Sequence, residues 1–264
     1  MNNFFTINNK KIFYRKIGKG NPIILLHGIT SSSNTWNEIS DVLSEIRTVY
    51  LIDFRGHGNS EHFNSYKWID YSNDIVAFIE KVIGTPTEIL GHSLGACIAA
   101  QVASLSNNVK SLILEDPPFF HHSRLGVEGI RARFKYNLSL AKSFNSKEEI
   151  FEILSNNSKL SNVKNLEMIA ENLSNLDHKV LEETINGSAL KEFSSQKIIK
   201  KNSYIKTLLL VGDEKKTGQV IVKKEIDFIK KNIKNLSFKN LNCGHNIHEE
   251  MSEKYKEIIL DFVN

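Results

Sequence analysis

Residues 88–100 read EILGHSLGACIAA, and this stretch decides the fold. Its first three residues predict a short strand, and its small residues toward the end predict a helix. Gly91 and Gly95 flank Ser93, and residues without bulk are needed where a strand turns sharply into a helix. Such a turn lifts the Ser93 hydroxyl above the sheet and leaves the Leu94 N–H free at the start of the helix. The stretch therefore predicts an accessible serine at a strand–helix junction.

Strand-like and helix-like patterns alternate on both sides of this turn. Apolar runs and alternation predict strands over residues 3–7, 11–17, 22–26, 48–54, 88–90, 109–114, 207–211 and 236–241. Helical spacing of apolar residues fits 36–46, 68–83, 94–105, 220–231 and 249–262. Alternation of this kind is typical of a mostly parallel sheet with helices on both faces.

The alternation stops at Pro117-Pro118, and only helical patterns follow until about Ser203. We therefore expect a sheet core formed by residues 1–118 and 204–264, with an all-helical insertion of residues 119–203. A long insertion at one point of a sheet edge usually covers a site.

Composition excludes several classes of protein. The 264 residues carry 34 Lys and Arg against 30 Asp and Glu, and the net charge of +4 is spread without a basic stripe, so we expect no nucleic-acid partner. No apolar run approaches the roughly 20 residues of a membrane span, and the N-terminus lacks an apolar signal segment, so we expect a cytoplasmic protein without a membrane partner. Cys97 and Cys243 make neither a disulfide framework nor a four-ligand zinc site. No glycine fingerprint of a dinucleotide site follows a strand, and we expect neither cofactor nor metal.

Ser93 can act as a nucleophile if a base removes its proton. His245 lies in the loop between the last strand and the last helix, where it can overhang the serine, and a histidine titrates near neutral pH. Acyl transfer also needs two N–H donors for the developing oxyanion. The turn at Gly28 directs the Ile29 N–H toward Ser93, and we expect Ile29 and Leu94 to form this pair.

These motifs together resemble the α/β-hydrolase superfamily. The matching segments are His27-Gly28, Asp53 to Ser60 (DFRGHGNS), Gly91 to Gly95, and Gly244-His245, in family order. The resemblance covers roughly residues 3–118 and 204–264. It implies a mostly parallel eight-stranded sheet, a Ser-His-acid catalytic triad and a helical cap over the site.

The acid of that triad departs from the family pattern. Many members carry it three residues after a glycine in the loop that follows the penultimate strand, and here Lys215 occupies that position. Asp213 is the favoured candidate and Glu214 a further one in the same loop. The second location used in the family is the strand end before the cap, which holds Glu115-Asp116. Asp116 could equally be a turn residue ahead of two prolines.

Other polar residues have structural interpretations. We expect His27 to order its loop, Asp53 and Arg55 to tie their loop to the core, and His248 to face outward or cap the last helix. Cys97 and Trp36 are expected in the core. The pair His121-His122 could line the cleft, but two adjacent histidines do not make a metal site.

The expected function is cofactor-free hydrolysis of a small-molecule acyl substrate, a carboxylic ester, lactone or thioester, through an acyl-enzyme. Amide or carbon–carbon bond hydrolysis on the same residues is an alternative. Because position 215 lacks the acid, a non-catalytic ligand receptor or interaction scaffold with the same fold is a second alternative.

Overall fold

A sheet of eight strands forms the centre of the protein in a computed structural model that describes residues 2–120, 128–144, 146–160, 163, 165–216 and 220–264. The strand order is β1-β2-β4-β3-β5-β6-β7-β8. The strands are β1 (Asn2–Ile7), β2 (Lys10–Gly18), β3 (Pro22–Leu26), β4 (Thr48–Ile52), β5 (Thr87–His92), β6 (Val109–Glu115), β7 (Lys206–Val211) and β8 (Leu236–Asn240). The first two form an antiparallel hairpin, β2 also runs antiparallel to β4, and all later pairings are parallel.

The sequence explains both parts of this sheet. Asn8 and Asn9 adopt φ angles of 50° and 60°, the left-handed backbone that a two-residue hairpin turn requires and asparagine tolerates. The central strand β3 is a continuous apolar run whose last four residues are buried, as expected for a parallel strand covered on both faces. Its register brings Leu26 beside Ile52 of β4 and Gly91 of β5, so the carboxyl ends of the central strands lie together.

Helices cover both faces of the sheet. They are α1 (Asn37–Ser44), α2 (Trp68–Phe78), α3 (Leu94–Leu105), α4 (Glu128–Ser143), α5 (Lys147–Ser155), α6 (Leu166–Ser174), α7 (His178–Ile185), α8 (Ser195–Lys201), α9 (Lys223–Asn232), α10 (Ile247–Glu250) and α11 (Ser252–Val263). Two apolar clusters result. One contains Trp36, fully buried, with α1 and α11, and the other contains α2, α3 and most of the helices from α4 to α8. The expected fold class is confirmed.

The structure differs from the predicted helix bounds in several places. The helix predicted over 220–231 spans Lys223–Asn232, and the one predicted over 68–83 is α-helical to Phe78 and continues as a π-helical turn, Ile79–Ile83. The predicted final helix is divided near Met251, and its first part begins at Ile247 rather than Glu249. Trp36 ends a short 3₁₀ turn, Ser33–Trp36, ahead of α1. No helix among the described residues has the length and apolar character needed to cross a bilayer.

Helices α4 to α8 lie between β6 and β7 in sequence, where only helical patterns were found. They are joined to the loop after β4: the Tyr66 hydroxyl donates to Asp177 Oδ2 at 2.5 Å, and the Asp177 N–H donates to the Gly56 carbonyl at 2.9 Å. Both Tyr66 and Asp177 are buried, so this contact is part of the core. His121-His122 lies outside the described residues.

Candidate active site

Ser93 lies at the sharp turn between β5 and α3, with φ 53° and ψ −115°. This backbone conformation costs on the order of 1–3 kcal/mol for a residue other than glycine. The flanking glycines permit it, because a Cβ on Gly91 would lie 2.3 Å from the Gly95 carbonyl oxygen, and one on Gly95 would lie 2.1 Å from that of Leu26. The Ser93 N–H donates to the Glu115 carbonyl at 2.9 Å, which fixes the turn to β6.

His245 follows β8 and faces the serine. Its Nε2 lies 2.9 Å from Ser93 Oγ across 152 residues of sequence. The preceding Gly244 N–H donates to the Glu250 carboxylate at 2.7 Å, so the first turn of α10 holds the loop. The pair that the sequence predicted is therefore within hydrogen-bonding distance.

The carboxylate beside His245 belongs to Asp116, and the expectation that Asp213 occupies this position is wrong. His245 Nδ1 lies 2.5 Å from Asp116 Oδ2, and Asp116 is fully buried. Asp116 has φ 43° directly after β6, and its N–H donates to the Leu210 carbonyl at 2.8 Å. This left-handed turn directs the carboxylate toward the loop that carries His245.

The other candidate acids have different surroundings. The Asp213 carboxylate accepts the Lys215 N–H at 2.8 Å and orders its own loop, and Glu214 is exposed. Glu115 is fully buried but contacts His248 instead of His245. The sequence could not separate these carboxylates, because all four lie near carboxyl ends of neighbouring strands.

The two expected oxyanion donors lie on loops that meet at the serine. A Cβ on Gly28 would lie 3.6 Å from Ser93 Cβ, so this loop packs against the serine, and 3.1 Å from His92 Nδ1, so a larger residue would have to displace His92 slightly. Within the described residues, the N–H groups of Ile29 and Leu94 donate to no other group. Both N–H groups therefore stay available to a substrate oxygen.

His27 orders the loop that precedes Ile29, as expected. Its Nδ1–H donates to the Gly28 carbonyl at 2.7 Å, and its Nε2 accepts the Phe54 N–H at 3.0 Å. Burial, together with neighbouring His57, lowers the pKa of His27 to about 3, so the ring is neutral. A neutral ring matches this donor–acceptor pattern, which uses one N–H and one lone pair.

The loop after β4 is tied to the core by its two charged residues, as the sequence predicted. Asp53 accepts the N–H of Ser33 at 2.7 Å and that of Asn59 at 2.9 Å. Arg55 makes two bonds of 2.6 Å to the Asp74 carboxylate, the bidentate geometry typical of a strong buried pair. Both side chains are therefore held by contacts inside the protein.

His248 is buried, which corrects the expectation that it faces outward or caps the helix. Only 4% of its side chain is exposed. Its Nδ1 lies 2.8 Å from Glu115 Oε1, which also accepts the His248 N–H at 3.0 Å, and its Nε2 lies 2.7 Å from Thr35 Oγ1. No motif signalled this contact, because the three residues come from β6, the turn before α1, and α10.

The same region contains a group of potential metal ligands. One ligand atom from each of His92, Glu115 and His248 lies within 4.8 Å of the others. Glu115 and His248 are already bonded to each other directly, and a metal ion would have to break that bond. We therefore interpret the group as an ion pair with a neighbouring imidazole.

A cleft of about 960 Å³ lies beside the loop that carries His245. Its lining combines carboxylates of α1, α6 and α10 with asparagine amides and apolar side chains, and His248 and Thr35 also reach it. Its acidic members include Glu38, Glu167, Glu249 and Glu250.

Comparison with known proteins identifies the family of this chain. Residues 21–251 match the model of the family described as having the alpha/beta hydrolase fold. N-formylmaleamate deformylase of Pseudomonas putida is 35% identical over 112 residues, which span 40% of this chain and 41% of that protein. 2-(Acetamidomethylene)succinate hydrolase of Mesorhizobium japonicum is 36% identical over 83 residues, or 31% of this chain and 30% of that protein. The matched segments thus span less than half of these curated relatives.

A solved structure extends the likeness to the whole fold. The crystal structure of an N-formylmaleamic acid deformylase variant from Pseudomonas putida S16 superposes with a TM-score of 0.77. It covers 98% of this chain and 100% of that one at 21% identity. At this identity the likeness concerns the fold alone.

Proposed function

Because the chain belongs to the family with the alpha/beta hydrolase fold, we propose that it is a serine hydrolase whose nucleophile, base and acid are Ser93, His245 and Asp116. The observation that carries this proposal is the continuous chain of contacts from Ser93 Oγ to His245 Nε2 at 2.9 Å and from His245 Nδ1 to Asp116 at 2.5 Å. We call these three residues the proposed triad.

The proposed reaction proceeds through an acyl-enzyme. Ser93 Oγ attacks the substrate carbonyl carbon while its proton passes to His245 Nε2, and Asp116 stabilises the imidazolium that forms. The N–H groups of Ile29 and Leu94 bind the oxyanion. His245 then gives the proton to the leaving group, whose bond to the acyl carbon breaks. Water, activated by the same imidazole, releases the acid and restores Ser93.

The substrate class of the proposal is a carboxylic ester, with lactones and thioesters included. An N-acyl amide is a second candidate, favoured by a specific observation: the names of both curated relatives describe molecules that carry an N-formyl or acetamido group. The two classes differ in the leaving group, an alcohol or an amine, that His245 must protonate.

We further propose that the helices between β6 and β7 act as a cap that walls the substrate site. Their buried attachment through Asp177 to Tyr66 and Gly56 supports this role, since those residues belong to the core around the loop after β4. The site itself would be shaped by apolar cap residues such as Phe134, which is buried.

Labelling with a fluorophosphonate, followed by peptide mass spectrometry, tests the nucleophile. We expect a single modified peptide that contains Ser93 in the wild type and no label in Ser93→Ala. A modification elsewhere, or labelling of Ser93→Ala, would contradict the assignment.

Steady-state hydrolysis of a short p-nitrophenyl ester and an N-formyl amide then separates the substrate classes. Turnover that depends on Ser93 is expected with at least one of them. A protein that labels slowly, turns over neither compound and gains thermal stability from a carboxylic ligand would instead be a receptor.

A further inference from the structure

A second group of buried side chains lies directly behind the proposed triad. It consists of His92, Glu115 and His248, which are 5%, 0% and 7% exposed. His92 and Glu115 each immediately precede a triad residue in the sequence, and His248 follows the third by three positions. The triad itself uses none of these side chains.

This group is bonded to the backbone of the triad. Glu115 Oε1 accepts both the N–H and the ring Nδ1–H of His248, at 3.0 Å and 2.8 Å. These bonds tie β6 to α10, directly after the loop that carries His245, which we call the base loop. The Glu115 carbonyl also accepts the Ser93 N–H at 2.9 Å. His92 Nε2–H donates to the His245 carbonyl at 3.1 Å. The group therefore fixes the nucleophile turn relative to the base loop.

Its charges balance. Burial by itself raises the pKa of Glu115, but His248 and His92 outweigh it and lower that pKa to about 2. Burial lowers the pKa of His248, but the attraction of Glu115 outweighs it, so that pKa is raised. Burial keeps the pKa of His92 well below its ordinary value. Glu115 is thus an anion, His248 a cation, and His92 neutral between them and His245.

We propose that Glu115 and His248 are positioning residues, which rests on the proposed function. They form a charge-balanced pair that holds the loop of His245, and His248 screens the His245 imidazole from the Glu115 carboxylate. The rings of His92 and His245 lie 4.7 Å apart, and those of His92 and His248 lie 5.0 Å apart. His92 thus contacts both rings, and in this buried region an unbalanced charge on Glu115 acts on His245 with little screening by solvent.

The titratable and charged groups that face His248 come from every element packed against it. They are Glu115 of β6, His92 of β5, Glu38 of α1, Glu249 of α10 and Tyr255 of α11. His245 contacts the other ring in the group, His92. Lys256 lies 3.5 Å from Glu38 and balances that carboxylate. Glu249 accepts the Thr35 hydroxyl proton at 3.2 Å, so the Nε2–H of a cationic His248 donates to Thr35 Oγ1.

Removing one member of the pair tests the proposal, with the pH dependence of the fluorophosphonate labelling rate as the readout. In His248→Asn the amide can replace the Nδ1–H donor but not the charge. Glu115 then lacks its cationic partner. In the pH range where Glu115 stays ionised it favours the imidazolium of His245, so the acidic limb of the rate profile is expected to move up by about one pH unit.

The double variant Glu115→Gln with His248→Asn is the decisive comparison. It removes both charges and keeps a neutral acceptor and donor, so the acidic limb is expected to return to its wild-type position. A pair with a merely structural role would give additive losses and no return. His178→Asn is the matched control, because His178 pairs with Glu182 at 3.3 Å on an exposed helix face and should leave the limb unchanged.

Two results overturn the proposal. One is an acidic limb that stays at its wild-type pH in His248→Asn. The other is an acidic limb that lies no closer to the wild-type pH in the double variant than in His248→Asn. If His248→Asn fails to fold, ¹⁵N NMR of the wild-type histidines decides: we expect His248 to stay doubly protonated at pH 7, and a neutral His248 would overturn the pair.

The outcome separates this inference from the proposed function. Absence of labelling in the wild type would contradict the proposed triad, whatever the protonation state of His248. Labelling at Ser93 together with an unmoved limb would contradict the charge-balanced pair alone.

Discussion

The protein contains two neighbouring arrays in which a hydroxyl, an imidazole and a carboxylate lie in line. In the first, His245 joins Ser93 at 2.9 Å to Asp116 at 2.5 Å. In the second, His248 joins Thr35 at 2.7 Å to Glu115 at 2.8 Å. Distances alone do not distinguish them.

The positions of the protons and the groups around each hydroxyl distinguish the two arrays. In the proposed charge state His248 is a cation whose Nε2–H donates to Thr35, and the Thr35 hydroxyl donates to Glu249, so His248 has no lone pair with which to act as a base. Ser93 occupies a strained turn beside the loop of Ile29 and the N-terminus of α3 at Leu94, whereas Thr35 lies in a short 3₁₀ turn. An in-line array becomes a catalytic candidate only when the imidazole can accept a proton and an oxyanion site adjoins the hydroxyl.

The strongest test of this comparison replaces the two hydroxyls. Ser93→Ala is expected to lower kcat/KM by about 10⁴- to 10⁶-fold, because the covalent step is lost. Thr35→Ala is the matched control and should cost less than about tenfold, since it removes only the hydrogen bonds of that hydroxyl to His248 and Glu249. Steady-state kinetics with the preferred substrate measures both, and a larger loss in Thr35→Ala would reverse the roles of the arrays.

Replacing the carboxylates gives the next largest effect. Asp116→Asn is expected to lower kcat by about 10⁴-fold, because the amide holds the wrong imidazole tautomer and cannot stabilise the imidazolium. Asp213→Asn should change kcat less than about threefold, since that side chain only caps its own loop. Both variants are compared at unchanged melting temperature. Equal losses would mean that Asp116 does not act through His245.

The buried array should contribute mainly to stability, and its contribution depends on pH. Glu115 has a lowered folded pKa, so its contribution is present above the ordinary value of 4.5 and is lost as pH falls toward about 2. His248 has a raised folded pKa, so its contribution is present below 6.5 and is lost as pH rises through that raised value.

Urea unfolding from pH 4 to 9 measures this dependence. His248→Asn is expected to lower the free energy of unfolding by about 3 kcal/mol between pH 4.5 and 6.5, because one buried charge loses its partner. The difference from wild type should shrink at higher pH. A difference that grows with pH would mean that His248 is neutral in the folded protein.

The smallest expected effect concerns the contact of His92 with Gly28, which precedes the expected oxyanion donor Ile29. A Cβ on Gly28 would lie 3.1 Å from His92 Nδ1. Gly28→Ala should therefore displace His92 slightly and lower kcat/KM by about tenfold, as small misplacements do. Gly129→Ala on α4 is the control, because nothing lies within 4 Å of its Cβ position. Equal kcat/KM values in the two variants would mean that a small displacement of His92 does not affect the active site.

The strands and the nucleophile turn could be predicted because their signals are local. The apolar run of β3 and the glycines around Ser93 specify backbone conformations within a few residues. The predicted and observed bounds of β3 and α3 coincide at Pro22–Leu26 and Leu94–Leu105. His245 was predictable for a related reason, since the joint after the last strand limits where its side chain can lie.

The acid could not be identified in the same way. Asp116 and Asp213 both follow strands that end at the same sheet edge, and both could reach the base loop from sequence alone. The choice depends on a φ angle of 43° at Asp116 and on a contact that joins residues 129 positions apart. His248 was placed wrongly for the same reason, because only the packing of α10 against β6 buries its ring beside Glu115.

The sequence by itself determined the sheet and helix pattern, the strained serine turn and the loops that carry His245 and Ile29. These follow from glycine positions and apolar periodicity, which act over short stretches of chain. The tertiary structure decided which carboxylate and which hydroxyl meet which histidine. Those pairings depend on side-chain directions across elements distant in sequence, and on the cost of burying a charge without a partner.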